Sequence, residues 1–228
     1  MDLSDNYTVI IPAYNAEDTI GEAVQSILAQ TVPAQEIIIV DDGSTDNTAG
    51  AVGVFGSKVK LIKQQNSGVA AATNTALKAV ATPLLAALDA DDIWKPDKMA
   101  MQLRHLYNNP QTGAVFCRGI TFRDIAGKRE YKNAQDIWGR SAMLIKSADA
   151  IANGDLIEPP GGLGDMVDWI ARLRENGVQL DLMPDVLVER RIRPGSMTFS
   201  RRGIDNKGYV FVAREAILRR RAAAKRQG

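Results

Sequence analysis

At 228 residues, 45% of them hydrophobic, the chain is long enough to bury a full core, and its net charge of +1 argues against a nucleic-acid binder. No apolar run approaches the ~20 residues that span a bilayer, and the acidic, polar start Met1-Asp2-Leu3-Ser4-Asp5 reads as no secretory signal. One cysteine, Cys117, excludes an intramolecular disulfide and fits a reducing cytoplasm, and one histidine, His105, gives little support to a histidine-based triad.

Tyr7-Thr8-Val9-Ile10-Ile11-Pro12 is a β-branched run stopped by proline, which predicts a strand. From Glu17 to Ala29 apolar residues recur at Ile20, Ala23, Val24, Ile27 and Leu28, a helical spacing. Glu36-Ile37-Ile38-Ile39-Val40 predicts a second strand ending at Asp41-Asp42-Gly43-Ser44, with Thr45 or Asp46 placed to cap the next helix. Val59–Ile62 predicts a third strand, Val69–Val80 a helix, and Pro83–Leu88 a fourth strand. Past this point Cys117, behind Ala114-Val115-Phe116, reads as a buried strand residue and His105 as a helix-surface one. Residues 110–165 alternate short strands with turns, and Glu158-Pro159-Pro160-Gly161-Gly162-Leu163-Gly164 marks a loop. A helix is expected from Asp165 to Asn176, closed by Gly177, followed by a last strand at Val186-Leu187-Val188.

Continuously apolar strands separated by helices argue for a parallel sheet covered on both faces, which binds ligands beyond the carboxyl ends of its strands. The polar clusters fall there: Ala13-Tyr14-Asn15, Asp41-Asp42-Gly43, Asn66-Ser67-Gly68 and Asp89-Ala90-Asp91-Asp92. In the last, an apolar run ends in three carboxylates within four positions, and alternation lets Asp89 and Asp91 face one side. Such a pair is tolerable beside a cation, and oxygen ligands suit Mg2+ or Mn2+ bridging to phosphates. The bland alternative is a solvated turn, with Asp92 capping a helix that begins near Trp94. Charge is also divided along the chain. Residues 1–100 hold six lysines, no arginine and thirteen acids, a net −7, whereas residues 101–228 hold 22 basic and 14 acidic residues, a net +8. Neither the G-x-G-x-x-G nor the G-x-x-x-x-G-K-[ST] phosphate loop is present.

The stretches Val9–Glu17, Val40-Asp41-Asp42-Gly43-Ser44-Thr45-Asp46, Asn66-Ser67-Gly68 and Asp89-Ala90-Asp91-Asp92 resemble, in order and spacing, the family 2 glycosyltransferases of the GT-A fold. The resemblance is strong over residues 7–100 and traceable to about residue 198. It implies a GT-A-like three-layer α/β/α sandwich with a mostly parallel central sheet and a Rossmann-like nucleotide-binding half. It further implies glycosyl transfer with inversion from a nucleoside diphosphate sugar, often a UDP-sugar. By resemblance, Pro12, Tyr14 and Glu17 line the nucleoside pocket, and Asp41 or Asp42 accepts a hydrogen bond from the base or ribose. Asn66, Gly68 and Asn74 belong to the same donor site, Asp89 lies near the ribose, and Asp91 binds the Mn2+ or Mg2+ that holds the diphosphate. Asp165 aligns with the family's general base, with Asp168 as the alternative and a plain helix cap as the structural one.

Three positions depart from the family pattern. Thr73 stands where an arginine is common, Gly164 where an acid precedes the base, and Arg193 where a histidine often contacts metal or diphosphate. Arginine cannot ligate a metal but clamps phosphate oxygens through its planar fork, so Arg191 and Arg193 are expected as diphosphate contacts. The resemblance divides the chain into a donor half (1–100), an acceptor half (101–200) and a basic helical tail (201–228) of one domain. That tail has six basic residues and one acid from Tyr209 onward; it either packs on its own domain or meets an anionic membrane or a partner protein. The acceptor (a glycan, lipid-linked or peptide hydroxyl) is not legible, although Trp94, Trp138 or Trp169 could stack on a sugar. Without the spans of a processive polymerase, a single transfer in the cytoplasm, at most peripheral to a membrane, is expected. A sugar nucleotidyltransferase and a nucleotide-sugar-binding protein without turnover are the competing functions.

Overall fold

A computed structural model describes residues 6–193 and 207–227; the acidic start Met1–Asp5, the end of the expected acceptor half (194–200), the beginning of the expected tail (201–206) and Gly228 lie outside it. The first strands are β1 (Tyr7–Ala13), β2 (Glu36–Asp41), β3 (Lys60–Lys63) and β4 (Leu84–Ala87), all parallel, in the order β3-β2-β1-β4. Every residue of β1 is buried, as a strand covered on both faces requires. The two faces alternate strictly along the chain. Val9, Ile11, Ile37, Ile39 and Ala86 enter one core, and Ile10, Ile38, Val40, Leu85 and Ala87 the other. Helices α1 (Ile20–Leu28), α2 (Thr48–Gly53) and α4 (Lys98–Asn108) cover the first face, while α3 (Val69–Lys78), α5 (Ser147–Ala152) and α6 (Asp165–Glu175) cover the second. The result is the expected three-layer α/β/α sandwich.

Beyond β4 the nine-stranded sheet becomes mixed. It continues through β8 (Leu144–Lys146), β6 (Thr112–Ile125), β9 (Gln179–Arg191) and β5 (Ile93–Trp94), and β7 (Lys128–Ile137) forms a hairpin with β6. β8 is antiparallel to both β4 and β6, and β6 is parallel to β9. The strands expected to be short between residues 110 and 165 include two long ones, 14 residues in β6 and 10 in β7. β7 was hard to read because nine of its ten residues are exposed or half-buried, leaving no apolar run.

Two boundaries differ from expectation for local reasons. α1 begins at Ile20 rather than Glu17, because Ala16 closes a turn first, its carbonyl accepting from the Thr19 and Ile20 amides. Asp92 caps no helix: the chain runs through β5, and α4 starts only after Asp97. Before α2, Asp46 does accept the Thr48 amide at 2.9 Å. The last helix, α7 (Lys207–Gln227), packs on α6, with Val212 buried and Arg219 bonded to both Asp168 and Glu175. Its outer side leaves Val210, Ile217 and Leu218 exposed. No helix among the described residues is long and apolar enough to cross a membrane.

Cys117 is buried in β6, and His105 on α4 meets Asp181 at 2.8 Å. Lys98 is the unexpected core residue. Its ammonium lies 4.0 Å from the Trp94 ring centroid and 2.7 Å from Gln102 Oε1, and burial pulls its pKa down to about 8. The unfolded value is near 10.4. Between the two the unfolded chain binds more protons, so this group makes stability rise with pH. Burial pushes the neighbouring Cys117 thiol up to about 11, which acts in the opposite sense at higher pH. The denaturation midpoint from pH 8 to 9 should therefore rise more in the wild type than in Lys98→Met, and parallel pH profiles would refute the buried-ammonium account.

Candidate active site

A cleft of about 680 Å3 opens at the carboxyl ends of the parallel strands. Pro12 and Ala13 end β1 and Tyr14 and Ala16 follow it, Asp42 follows β2, Asn66 and Gly68 lead into α3, whose first turn supplies Val69 and Ala72, and Asp89–Asp92 follow β4. The end of β9 contributes Arg190 to Arg193, the β6–β7 hairpin Thr121, Lys132 and Gln135, and the loop before α6 Glu158 and Gly162. Four polar clusters far apart in sequence thus share one wall because parallel strands bring their ends to one side.

Asp42 organises the floor. Its Oδ1 accepts from Gln64 Nε2 at 2.7 Å and from the Ser67 amide at 3.0 Å, and its Oδ2 accepts the Gly68 amide at 2.9 Å. Asp41 is turned into its own loop, where Oδ1 accepts the Ser44 amide at 3.0 Å. Gly68 has φ +92, a backbone conformation that requires glycine, and a Cβ there would also push on the Glu158 carboxylate at 2.8 Å. Glu158 itself accepts the Ala70 amide at 3.1 Å, and its carboxyl pKa is raised, first by burial. Nothing in its sequence neighbourhood beyond a Pro/Gly loop marked it.

The acidic cluster is balanced by arginines. Asp89 accepts from Arg140 Nη1 at 2.9 Å, and the same guanidinium donates through Nη2 to Asp165 at 2.5 Å. Arg140 is buried; desolvation alone would lower its pKa, but the Asp89 and Asp165 carboxylates hold it above the ordinary arginine value. Ser141, next in the chain, donates to Asp92 Oδ2 at 2.6 Å and accepts the Asp89 amide at 3.1 Å. Burial, then Asp91 and Asp89 beside it, push the Asp92 carboxyl up to about 8. Asp91 is also raised, by burial first and Asp89 second, with Arg193 at 3.5 Å pulling the other way.

Several expected contacts lie elsewhere. Glu17 is not on the cleft wall: its carboxylate accepts the Asn47 amide at 2.8 Å and ties two loops together. Asn74 faces the body of the protein, gripping Leu156 through both its amide and carbonyl, each at 2.8 Å. Arg191 reaches the cleft, but its guanidinium is taken by Glu22 and Asp124 and stacks on Phe122, leaving no fork for a diphosphate. Asp168 is fully buried between Arg172 and Arg219, at 2.9 and 2.8 Å, and serves to pin α7. Asp165 sits one guanidinium behind Asp89 with its side chain 13% exposed, off the residues that line the cleft. Trp94 and Trp169 are core residues, and the half-exposed Trp138 is covered by Arg174 at 4.8 Å.

Two of the sequence departures have local explanations. Gly164 has φ +103, and a Cβ would press on Val212 of α7 at 3.3 Å, so an acid there would be strained. Thr73 is buried and bonds its own helix at the Val69 carbonyl, 2.7 Å away; it borders the same small void as Arg140, which brings a cation to that region.

Comparison with known proteins agrees with this architecture. The profile of Glycosyl transferase family 2 matches residues 8–150. The UDP-Glc:alpha-D-GlcNAc-diphosphoundecaprenol beta-1,3-glucosyltransferase WfgD of Escherichia coli is 41% identical over 109 residues, 46% of this chain and 43% of that protein. A chondroitin synthase of Pasteurella multocida is 33% identical over 112 residues, 48% of this chain and 12% of its own. The match therefore spans less than half the length of these curated relatives. Among solved structures, S. aureus TarS 1-349 in complex with UDP-GlcNAc superposes with a TM-score of 0.71 at 19% identity, covering 86% of this chain and 61% of that one. The mannosyltransferase PcManGT from Pyrobaculum calidifontis, in complex with GDP-Man and Mn2+, superposes with a TM-score of 0.66 at 22% identity and the same coverages.

Proposed function

The chain belongs to glycosyl transferase family 2, and from that premise we propose that it transfers a glycosyl group, with inversion, from a nucleoside diphosphate sugar to an acceptor hydroxyl. The observation that carries the reading is the convergence of Pro12, Tyr14, Asp42, Asn66, Gly68, Asp89 and Asp91 on a single cleft beyond the strand ends. A UDP-sugar is the favoured donor, since WfgD is named for UDP-Glc and TarS was solved with UDP-GlcNAc. The β6–β7 face of the cleft, with Thr121, Lys132 and Gln135, is left for the acceptor.

A divalent cation fits this wall in a limited way. Among the described residues no group of three or more ligating side chains is positioned to hold one, so Asp91 would be a lone protein ligand with the donor's phosphates completing the shell. When bound, the cation would stabilise charge on the departing diphosphate. Asp165 is proposed as the base that takes the acceptor's proton: one of its oxygens is held by Arg140, and the other accepts no hydrogen bond among the described residues.

Calorimetric titration of UDP, GDP and dTDP, with and without Mn2+, tests the donor reading. At least one should bind in the presence of Mn2+, and Asp91→Ala should weaken it tenfold or more, about 1.4 kcal/mol. Absence of binding under every condition would overturn the donor reading.

A further inference from the structure

The carboxylates after β4 are balanced in two different ways. Asp89 is held by Arg140, whose guanidinium is 5% exposed and fixed at its other end by Asp165. Asp92 is held by the Ser141 hydroxyl at 2.6 Å and the Arg191 amide at 3.0 Å. These partners are anchored from behind. Asp91 is different: its charge partner is Arg193, at 3.5 Å, a side chain 32% exposed on the cleft wall. Arg193 Nε is buried without a hydrogen bond, so the pair is close enough for Coulombic attraction but not seated as a fork. Of the two other arginines on this wall, Arg191 is committed to Glu22 and Asp124, and Arg190 lies 4.0 Å from Asp92.

We propose that Arg193 is an internal counter-ion for Asp91, which a divalent cation must displace and which the donor's diphosphate then receives. The inference rests on the reading of the cleft as a nucleoside diphosphate site. A cation and a guanidinium brought to the same carboxylate repel each other, and at ~4 Å even a solvent-softened interaction between unit charges is worth several kcal/mol. A cation arriving alone would strand Arg193 beside it. Arriving with a diphosphate, it brings oxygens that suit the arginine fork better than the present 3.5 Å contact does. Cation and nucleotide therefore favour each other's binding, and the coupling is reciprocal.

The discriminating measurement is Mn2+ binding without nucleotide, followed by loss of the free-ion EPR signal, for wild type, Arg193→Lys, Arg193→Met and the double variant Arg193→Met/Asp91→Asn. Circular dichroism melts establish that each is folded. Arg193→Met should bind Mn2+ at least tenfold more tightly than wild type, Arg193→Lys should lie between them, and the gain should vanish in the double variant. With saturating Mn2+, Arg193→Met should lose tenfold or more in affinity for UDP or GDP. Equal Mn2+ affinity in wild type and Arg193→Met, or a gain that survives Asp91→Asn, overturns the counter-ion. If wild type binds none of UDP, GDP and dTDP in the presence of Mn2+, the donor reading and the handover to diphosphate fall, while a Mn2+ gain in Arg193→Met alone still upholds the counter-ion.

Discussion

Arg140→Met, behind the cleft wall, should be the most damaging single substitution at the site, costing on the order of 3 kcal/mol of stability and nearly all turnover. The guanidinium is buried and bridges Asp89 at 2.9 Å and Asp165 at 2.5 Å, so its loss leaves two carboxylates without their common cation. Removing one member of a buried ionic set costs more than the set contributes, because the remaining charges stay desolvated. For a chain of this size, ~3 kcal/mol corresponds to a fall of roughly 10 °C in the thermal midpoint. Arg140→Lys keeps the charge but not the fork, and should fall between the two. The decisive control is the double variant Arg140→Met/Asp165→Asn. Neutralising Asp165 removes one stranded charge, so the double variant should melt higher than Arg140→Met alone. If the single variant melts within about 2 °C of wild type, a loss of under ~1 kcal/mol, the bridge contributes little.

Arg140 also marks the limit of what the sequence discloses. The parallel half of the sheet was readable because β1, β2 and β4 are continuous apolar runs, and their ends could be aligned as one wall. The residues that balance that wall are not local to it. Arg140 is 51 positions from Asp89 and 25 from Asp165, in a short 3-10 turn with no motif of its own. The available signal was slight: an Arg-Ser pair just before the apolar stretch Ala142-Met143-Leu144-Ile145. The same reason explains the misplaced contacts. Asn74 and Arg191 carry the chemistry a donor site wants, but Leu156, Glu22 and Asp124 engage them first, from 82, 169 and 67 positions away. Asp92 looked like a helix cap because burial beneath a distant turn leaves no periodic trace. Like charges in the acidic cluster implied a cation, and the fold supplies arginine cations for Asp89 and Asp91.

Asp165→Asn should reduce turnover by about 10²- to 10⁴-fold, the range for a positioned general base, while leaving nucleotide affinity within about threefold. Release of UDP from UDP-glucose and UDP-GlcNAc measures the first, with water standing in for the acceptor, and calorimetry with UDP measures the second. The pairing matters because Asp165 stands behind Asp89, whereas Glu158 stands on the cleft wall itself. Burial raises the Glu158 carboxyl pKa, which moves it toward the range where a base is most effective near neutral pH. Its bond to the Ala70 amide nevertheless ties one oxygen to the amino end of α3, on the nucleotide side. Glu158→Gln, which removes a negative charge from the wall while keeping an acceptor for the Ala70 amide, is therefore expected to strengthen UDP binding severalfold with kcat little changed, whereas Asp165→Asn lowers kcat with UDP affinity little changed. Should Glu158→Gln abolish turnover while Asp165→Asn retains it, the base lies on the loop before α6. The Arg140 bridge would then be a structural brace rather than a support for the base.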